Sequence, residues 1–220
     1  MDGVLDIAVR GCTDKAYGHV VVPEGVRTIG AGAFARQKEL VSIELPSTLV
    51  SIEDEAFIGC TSLESVVLPE GLTSLGKRAF RNCLSLTRVA VPASLEVIPD
   101  GAFSECMTLE AVTGGEGVYG ICVEAFAGCK KMRACEPLEA AVDIGERAFN
   151  WCINLELDAF AEEMVYIGKY AFRQCTSLKG VKLPSSIEHV ADDAFEGCGI
   201  DLDRDGDRAE DPDQGSGAQQ

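Results

Sequence analysis

Cysteine is the residue type in this chain whose number and spacing could support chemistry. There are ten cysteines in 220 residues, enough for disulfides, a metal site or a reactive thiol. Seven of them recur every 23 residues: Cys60, Cys83, Cys106, Cys129, Cys152, Cys175 and Cys198. No C-x-x-C pair occurs, and the only histidines, His19 and His189, lie far apart in the chain. The spacing therefore argues against a zinc site.

The regular spacing predicts a structural role for these seven thiols. Neighbouring strands of a sheet lie about 4.8 Å apart, so side chains at one phase of a repeat form a column with nearly parallel Cβ directions. A disulfide needs convergent Cβ atoms about 3.5–4.5 Å apart. We expect the seven to be buried small apolar groups. Cys12, Cys122 and Cys135 fall outside the column and are expected to be more exposed, which leaves a thiol redox sensor as the last-ranked hypothesis.

The acidic C-terminal segment carries a second metal-like pattern. Carboxylates at alternate positions with Gly206 at the sixth resemble the first half of an EF-hand calcium loop. These carboxylates are Asp201, Asp203, Asp205 and Asp207. The twelfth position is Pro212 instead of a bidentate Glu, and neither flank resembles a helix. The composition favours a disordered tail, and a calcium-responsive binding module is the alternative interpretation. No other cofactor is expected.

No arrangement of residues in the sequence indicates catalysis. A triad needs a histidine beside a nucleophile and an acid, but His19 and His189 fall at the two ends of the repeats. There is no P-loop and no GxGxxG motif. We therefore expect that the protein is not an enzyme.

A repeat predicts the elements that position these residues. Ala-Phe pairs recur every 23 residues, from Ala33-Phe34 to Ala194-Phe195, and a fixed period of this length indicates a solenoid. Eight phenylalanines are expected to be structural: Phe34, Phe57, Phe80, Phe103, Phe126, Phe149, Phe172 and Phe195.

Each repeat predicts one strand and one return arm. Nine and eleven residues after most of the phenylalanines an apolar residue alternates with other types, which is the period of a strand with one buried face. Proline often follows at the next position and suits an exit from the sheet, as at Pro46 and Pro69. Eighteen residues after the phenylalanine an aliphatic residue such as Ile52 anchors the return arm.

The consensus LxxIxLPxxLxxIGxxAFxxCxxL resembles the BspA-like class of leucine-rich repeats. The resemblance implies an α/β-type, right-handed repeat solenoid with a parallel concave sheet of about eight strands and irregular or short helical convex arms. It also implies an interaction protein, since family members are mostly interaction proteins and many are on cell surfaces. We expect an N-terminal cap at residues 1–16, about eight units at 17–200, and an acidic tail at 201–220.

Charge and hydropathy predict the kind of partner and the location of the protein. The net charge of −17 opposes binding to nucleic acid or to anionic membranes and favours a protein partner with a basic surface. No secretory signal and no apolar run of about 20 residues is present. These features predict a cytoplasmic or otherwise intracellular protein without membrane insertion, with a monomer as the default oligomeric state.

The outward residues of the predicted strands are the candidate partner-binding residues. They are Glu44, Glu64, Val67, Arg88, Glu110, Arg133, Glu136, Lys179 and Lys182. Aromatic anchors are absent from this face, and the single tryptophan, Trp151, is expected to pack at an edge of the return arm. Residues 109–137 and 155–160 depart from the consensus, so the sheet is predicted to be weakest there.

Overall fold

Two rows of short parallel strands run along the computed structural model, which describes residues 18–200. The first row is one six-stranded sheet in chain order, here called the first sheet. Its strands are β1 (His19–Val21), β3 (Ser42–Glu44), β5 (Ser65–Val67), β7 (Arg88–Val91), β9 (Ala111–Gly114) and β11 (Ala134–Cys135). Paired residues such as Val66 and Val89 are one repeat apart in the chain. Each repeat is therefore one turn of a parallel β-solenoid.

The second row consists of two-residue strands on the return arm. Three of them form one sheet: β2 (Thr28–Ile29), β4 (Ser51–Ile52) and β6 (Ser74–Leu75). Five form another: β8 (Val97–Ile98), β10 (Gly120–Ile121), β12 (Asp143–Ile144), β13 (Tyr166–Ile167) and β14 (His189–Val190). The expectation of one strand per repeat was incomplete, because the buried aliphatic of the return arm also lies in a ladder.

Helix is nearly absent from residues 18–200. The structure has one 3-10 helix there, at Glu136–Glu139, with Pro137 in its first turn. The return arms of the described turns are therefore extended or irregular. Within the same range, no helix has the length and apolarity needed to cross a bilayer.

The Ala-Phe segment forms a third line of contacts between turns. The N–H of each Phe donates to the carbonyl of the Ala before the next Phe, at 2.7–2.8 Å from Phe34 to Phe172. All ten non-glycine residues with positive φ lie two positions before or after one of these phenylalanines, as Glu55 (φ 57°) and Asn82 (φ 61°) do. Nine of these ten residues also donate their own N–H to the next turn, as Glu55 does to Lys77 O (2.9 Å) and Asn82 to Ser104 O (2.9 Å). These hydrogen bonds offset the cost of the left-handed backbone.

The phenylalanines form the centre of the core. All eight on the repeat are buried, and neighbouring rings stack at 5.0–5.4 Å between centroids with planes within 18° of each other. The ninth, Phe160, meets Phe172 edge-on at 5.5 Å. Burial of one such ring stabilises the fold by about 1.5–3 kcal/mol, so the column accounts for much of the stability of the solenoid.

The first sheet ends after β11, although the second row continues to β14. Residues 155–160 and 178–183 form no strand. The sequence pattern indicated the irregularity at Cys135 and at 155–160. It was wrong for residues 112–115, because β9 is one of the two four-residue strands. The expected cap at 1–16 and the tail at 201–220 lie outside the described residues and stay predictions.

Candidate binding surface

All nine candidate partner-binding residues are exposed. Glu44, Val67 and Arg88 lie within strands of the first sheet. Four more flank its strands: Glu64, Glu110, Arg133 and Glu136. Lys179 and Lys182 do not lie on the sheet, because residues 178–183 form no strand. The structure therefore brings seven of the nine residues together on one face.

Besides the selected Val67, one exposed valine on this face, Val21, was not selected from the sequence. Val67 is 69% exposed and Val21 is 60% exposed. Glu44 pairs with Val21 in the register of β1 and β3, and Val67 lies one further turn along the same column. An exposed valine on a strand is ordinary by itself. The signal in the sequence was the alternation Val20-Val21-Val22, in which only the middle residue faces outward.

The charged residues of the face have no ion-pair partner among residues 18–200. Ion pairs in this range join Lys77 to Asp100, Arg78 to Glu55, Arg147 to Glu146, Lys169 to Asp193 and Arg173 to Glu196. All five lie away from the first sheet. Arg88 and the carboxylates beside it therefore keep their hydrogen-bonding capacity for a partner.

The first sheet ends at a cavity of about 690 Å³, here called the sheet gap. It is lined by residues 133–136 and 156–163 together with Glu139. Six of its lining residues are carboxylates: Glu136, Glu139, Glu156, Asp158, Glu162 and Glu163. Its only cation is Arg133, so the gap is strongly negative. Glu136 is partly engaged, because its Oε2 accepts the Gly114 N–H at 2.5 Å.

Asp158 explains why the gap exists. It occupies the position that holds a buried aliphatic such as Val112 in other turns, and it is exposed instead. A carboxylate without a partner is costly to bury, so the segment leaves the sheet. Phe160 turns inward and fills the core against Phe172. The last backbone hydrogen bond to the preceding turn before the gap is from Glu156 N–H to Arg133 O at 2.9 Å, and such bonds resume at Val165.

A second cavity of about 570 Å³ lies where the second row divides, and its acids are already engaged. Glu53 Oε2 accepts the Ala31 N–H at 2.9 Å, and Asp54 Oδ1 accepts the Lys77 N–H at 2.8 Å. Its carboxylates therefore stabilise the backbone of neighbouring turns. This cavity is the weaker candidate for a ligand.

An aromatic and basic group lies on the Ala-Phe side. Tyr170 is surrounded by three cations at 4.9–5.4 Å from its ring: Arg147, Lys169 and Arg173. Each cation is also within 2.5–3.6 Å of a carboxylate. Nearby Trp151 is 45% exposed, so it packs less closely than an edge residue was expected to. The charges of this group balance locally, and the sheet gap carries the stronger unbalanced field.

The cysteine column is more than an apolar filler. Six of the seven thiols are buried, and Cys198 is half-buried. Each S–H donates to the carbonyl of the Phe in the preceding turn, at 2.8–3.3 Å, as Cys106 does to Phe80 at 3.2 Å. Sequence reasoning missed this bond, because donor and acceptor are 26 residues apart. All nine described cysteines are free thiols.

Burial disfavours thiolate chemistry in the column. Desolvation raises the pKa of Cys60 to about 12 and raises the pKa of Cys129 well above its ordinary value. Cys135 was expected to be exposed, but this was wrong: it is buried in β11, and burial raises its pKa. Cys122 is partly exposed, and Cys12 lies outside the described residues. Cys198 differs, because a hydrogen bond from Cys175 lowers its pKa.

The remaining metal and catalytic candidates are not brought together. His19 contacts Ser42 Oγ in β1 and β3, whereas His189 stacks on Tyr166 at 4.9 Å in the last strands. Within residues 18–200, no group of three His, Cys, Asp or Glu side chains is arranged to hold a metal ion. Asp201, Asp203, Asp205 and Asp207 lie outside the described residues, so calcium binding there stays a prediction.

A known repeat family matches most of the chain. Residues 12–133 and 142–202 match the BspA type leucine rich repeat region, in six copies. The chain therefore belongs to the BspA-type leucine-rich repeat family. No curated protein matches the chain.

Solved structures of leucine-rich repeat proteins share the fold. A leucine rich cell surface protein from Faecalibacterium prausnitzii is 24% identical, with a TM-score of 0.52 over 82% of this chain and 57% of its own. A leucine-rich repeat protein from Eubacterium ventriosum is 24% identical, with a TM-score of 0.60 over 84% of this chain and 44% of its own. The T. pallidum leucine-rich repeat protein is 26% identical, with a TM-score of 0.53 over 73% of this chain and 77% of its own. The chain spans about half the length of the first two.

Proposed function

We propose that this chain is a non-catalytic interaction module whose first sheet binds a protein partner. One observation carries the proposal: the repeat columns are buried, whereas the residues between them on the first sheet are exposed and have no ion-pair partner in residues 18–200. The buried columns stabilise the fold. The residues between them differ from turn to turn, as a specific binding surface requires.

The composition of the face favours a flat partner surface. Small residues such as Ser42, Ser65 and Ala111 separate the charged residues, so a partner can approach the backbone closely. Val67 supplies exposed apolar area at the centre. Carboxylates outnumber cations on the face, and the whole chain carries a net charge of −17, so we propose a partner with a basic surface.

Two serines in the same turn provide a matched test. Ser65 is exposed in β5 of the first sheet, and Ser74 is exposed in β6 of the second row. Ser65→Lys should abolish affinity capture of the partner that the wild-type chain retains, because it adds bulk and positive charge to the proposed interface. Ser74→Lys should leave capture unchanged.

The comparison can also contradict the proposal. If both variants capture the same proteins as the wild type, the first sheet is not the interface. If Ser74→Lys alone loses them, the second row binds the partner. Circular dichroism melting of both variants shows whether each retains the fold.

A further inference from the structure

The sheet gap leaves one edge of the first sheet open. On one side β11 pairs with β9, with Ala134 opposite Ala111 and Cys135 opposite Val112. On the other side no backbone hydrogen bond joins residues 134–136 to residues 157–163. An unpaired strand edge is a template for a further strand. The other strands of the first sheet from β1 to β9 each pair with the strand of the next turn. The edge of β11 also faces a following turn, but it pairs with no strand there.

The space beside this edge is large enough for a segment of chain. The cavity of about 690 Å³ lies within the range of about 300–1,000 Å³ typical of ligand sites. Its floor is apolar, with Phe160 and Ala161 buried and Leu157 half-buried. Its rim carries the carboxylates. A segment in the gap would therefore meet an apolar surface on one side and negative charge on the other.

The negative charges of the sheet gap determine which kind of segment can bind there. None of the six carboxylates of the gap forms an ion pair within residues 18–200. The terminal segments of this chain do not complement them, since residues 201–220 have seven acids and two arginines and residues 1–17 have three acids and two basic residues. A basic segment from another protein does complement them.

We infer that an extended, basic segment of a partner adds to the free edge of β11 as a further parallel or antiparallel strand. Main-chain hydrogen bonds to the edge supply affinity, and alternate side chains supply specificity. Successive residues of a strand point to opposite faces, so the segment alternates small apolar residues over Leu157 and Phe160 with lysine or arginine facing the carboxylates. The inference rests on the proposed function, because it names the kind of partner that this module binds.

A designed peptide tests the inference on the full chain. The probe is a fluorescent Lys-Val-Lys-Val-Lys-Val-Lys peptide, titrated by anisotropy. Two controls share its length: the same sequence with alternate amides N-methylated, which keeps the charge but cannot form the ladder, and Glu-Val-Glu-Val-Glu-Val-Glu. We expect saturable binding of the lysine peptide, with the N-methylated peptide at least about tenfold weaker and the glutamate peptide without binding.

Paired variants locate the binding site. Glu162→Gln with Glu163→Gln removes two charges from the gap, and both residues are exposed, so the fold should be retained. Glu70→Gln with Glu96→Gln removes the same charge from exposed positions elsewhere. The first pair should weaken binding about tenfold and the second less than about twofold.

Three results would overturn the inference: no binding of the lysine peptide, equal binding of the N-methylated peptide, or equal losses in the two paired variants. Failure here is distinct from failure of the proposed function. If Ser65→Lys still abolishes partner capture while the peptide fails to bind, the first sheet remains the interface and only the strand addition is wrong.

Discussion

At the residue scale, the thiols of the cysteine column have two structural roles. Each packs in the core and each donates to the carbonyl of a Phe one turn back, as Cys129 does to Phe103 at 3.2 Å. Burial in this position raises the pKa of the thiol, because the thiolate would lose its hydration. The column is therefore linked to the stability of the fold at alkaline pH.

Stability should fall steeply above the ordinary pKa of a thiol, about 8.5. A folded-state pKa above the unfolded one gives stability that is present in full below the unfolded pKa and lost as pH rises toward the folded one. For Cys60 that window runs from about 8.5 to about 12. Each such thiol lowers the free energy of unfolding by about 1.4 kcal/mol per pH unit in its window. Urea unfolding under reducing conditions from pH 7.5 to 9.5 measures the slope.

A cysteine variant separates this effect from other titrating groups. Cys129→Ala should make the slope shallower, because it removes a thiol that keeps its proton in the folded state and loses it in the unfolded state. A free energy of unfolding that stays constant over this pH range would contradict the account of the buried column.

Residue types in register could be predicted from the sequence, but contacts between turns could not. The 23-residue spacing of Phe80 and Cys83 indicated the core columns directly. The hydrogen bond from Cys106 to Phe80 and the left-handed backbone at Asn82 depend on how one turn sits on the next. No local pattern encodes that offset.

At the element scale, close contacts between turns fix where glycine is required. A Cβ on Gly76 would lie 2.2 Å from Glu53 C and 2.3 Å from Asp54 N, both backbone atoms. Gly30 holds the same place in the first described turn, where a Cβ would have no neighbour closer than 3.8 Å. The two positions are a matched pair in the repeat.

Gly76→Ala should destabilise the fold by about 1–3 kcal/mol, because the backbone of the preceding turn must move. Gly30→Ala should change the free energy of unfolding by less than about 1 kcal/mol. Urea unfolding of both variants at neutral pH checks the difference. Equal effects would show that the spacing of the turns is set by something other than this contact.

The strands could be predicted from the sequence only in part. The departure at residues 155–160 predicted a weak part of the sheet, and the first sheet ends before it, because a buried position cannot accept an unpaired carboxylate such as Asp158. The glycines after Val112 suggested a weak strand, but Gly114 allows an approach to Val91 O that a Cβ would block at 2.3 Å. The second row was not predicted, since a two-residue strand is too short to show a period.

At the scale of the whole molecule, the solenoid separates scaffold from function. The buried columns run through the described turns, and the exposed positions of the first sheet vary between them. The first sheet then ends at an acidic gap. A partner that contacts the face and reaches the gap would use both features at once.

Hydroxyl-radical footprinting of the chain, alone and with its captured partner, tests this account most directly. The exposed residues of the first sheet, Val21 and Val67, should lose reactivity in the complex, because the partner covers them. Met107 and Trp151 are also exposed but lie away from the sheet, and they should react equally in both states. Protection of Met107 and Trp151 with unchanged reactivity at Val21 and Val67 would contradict the central claim.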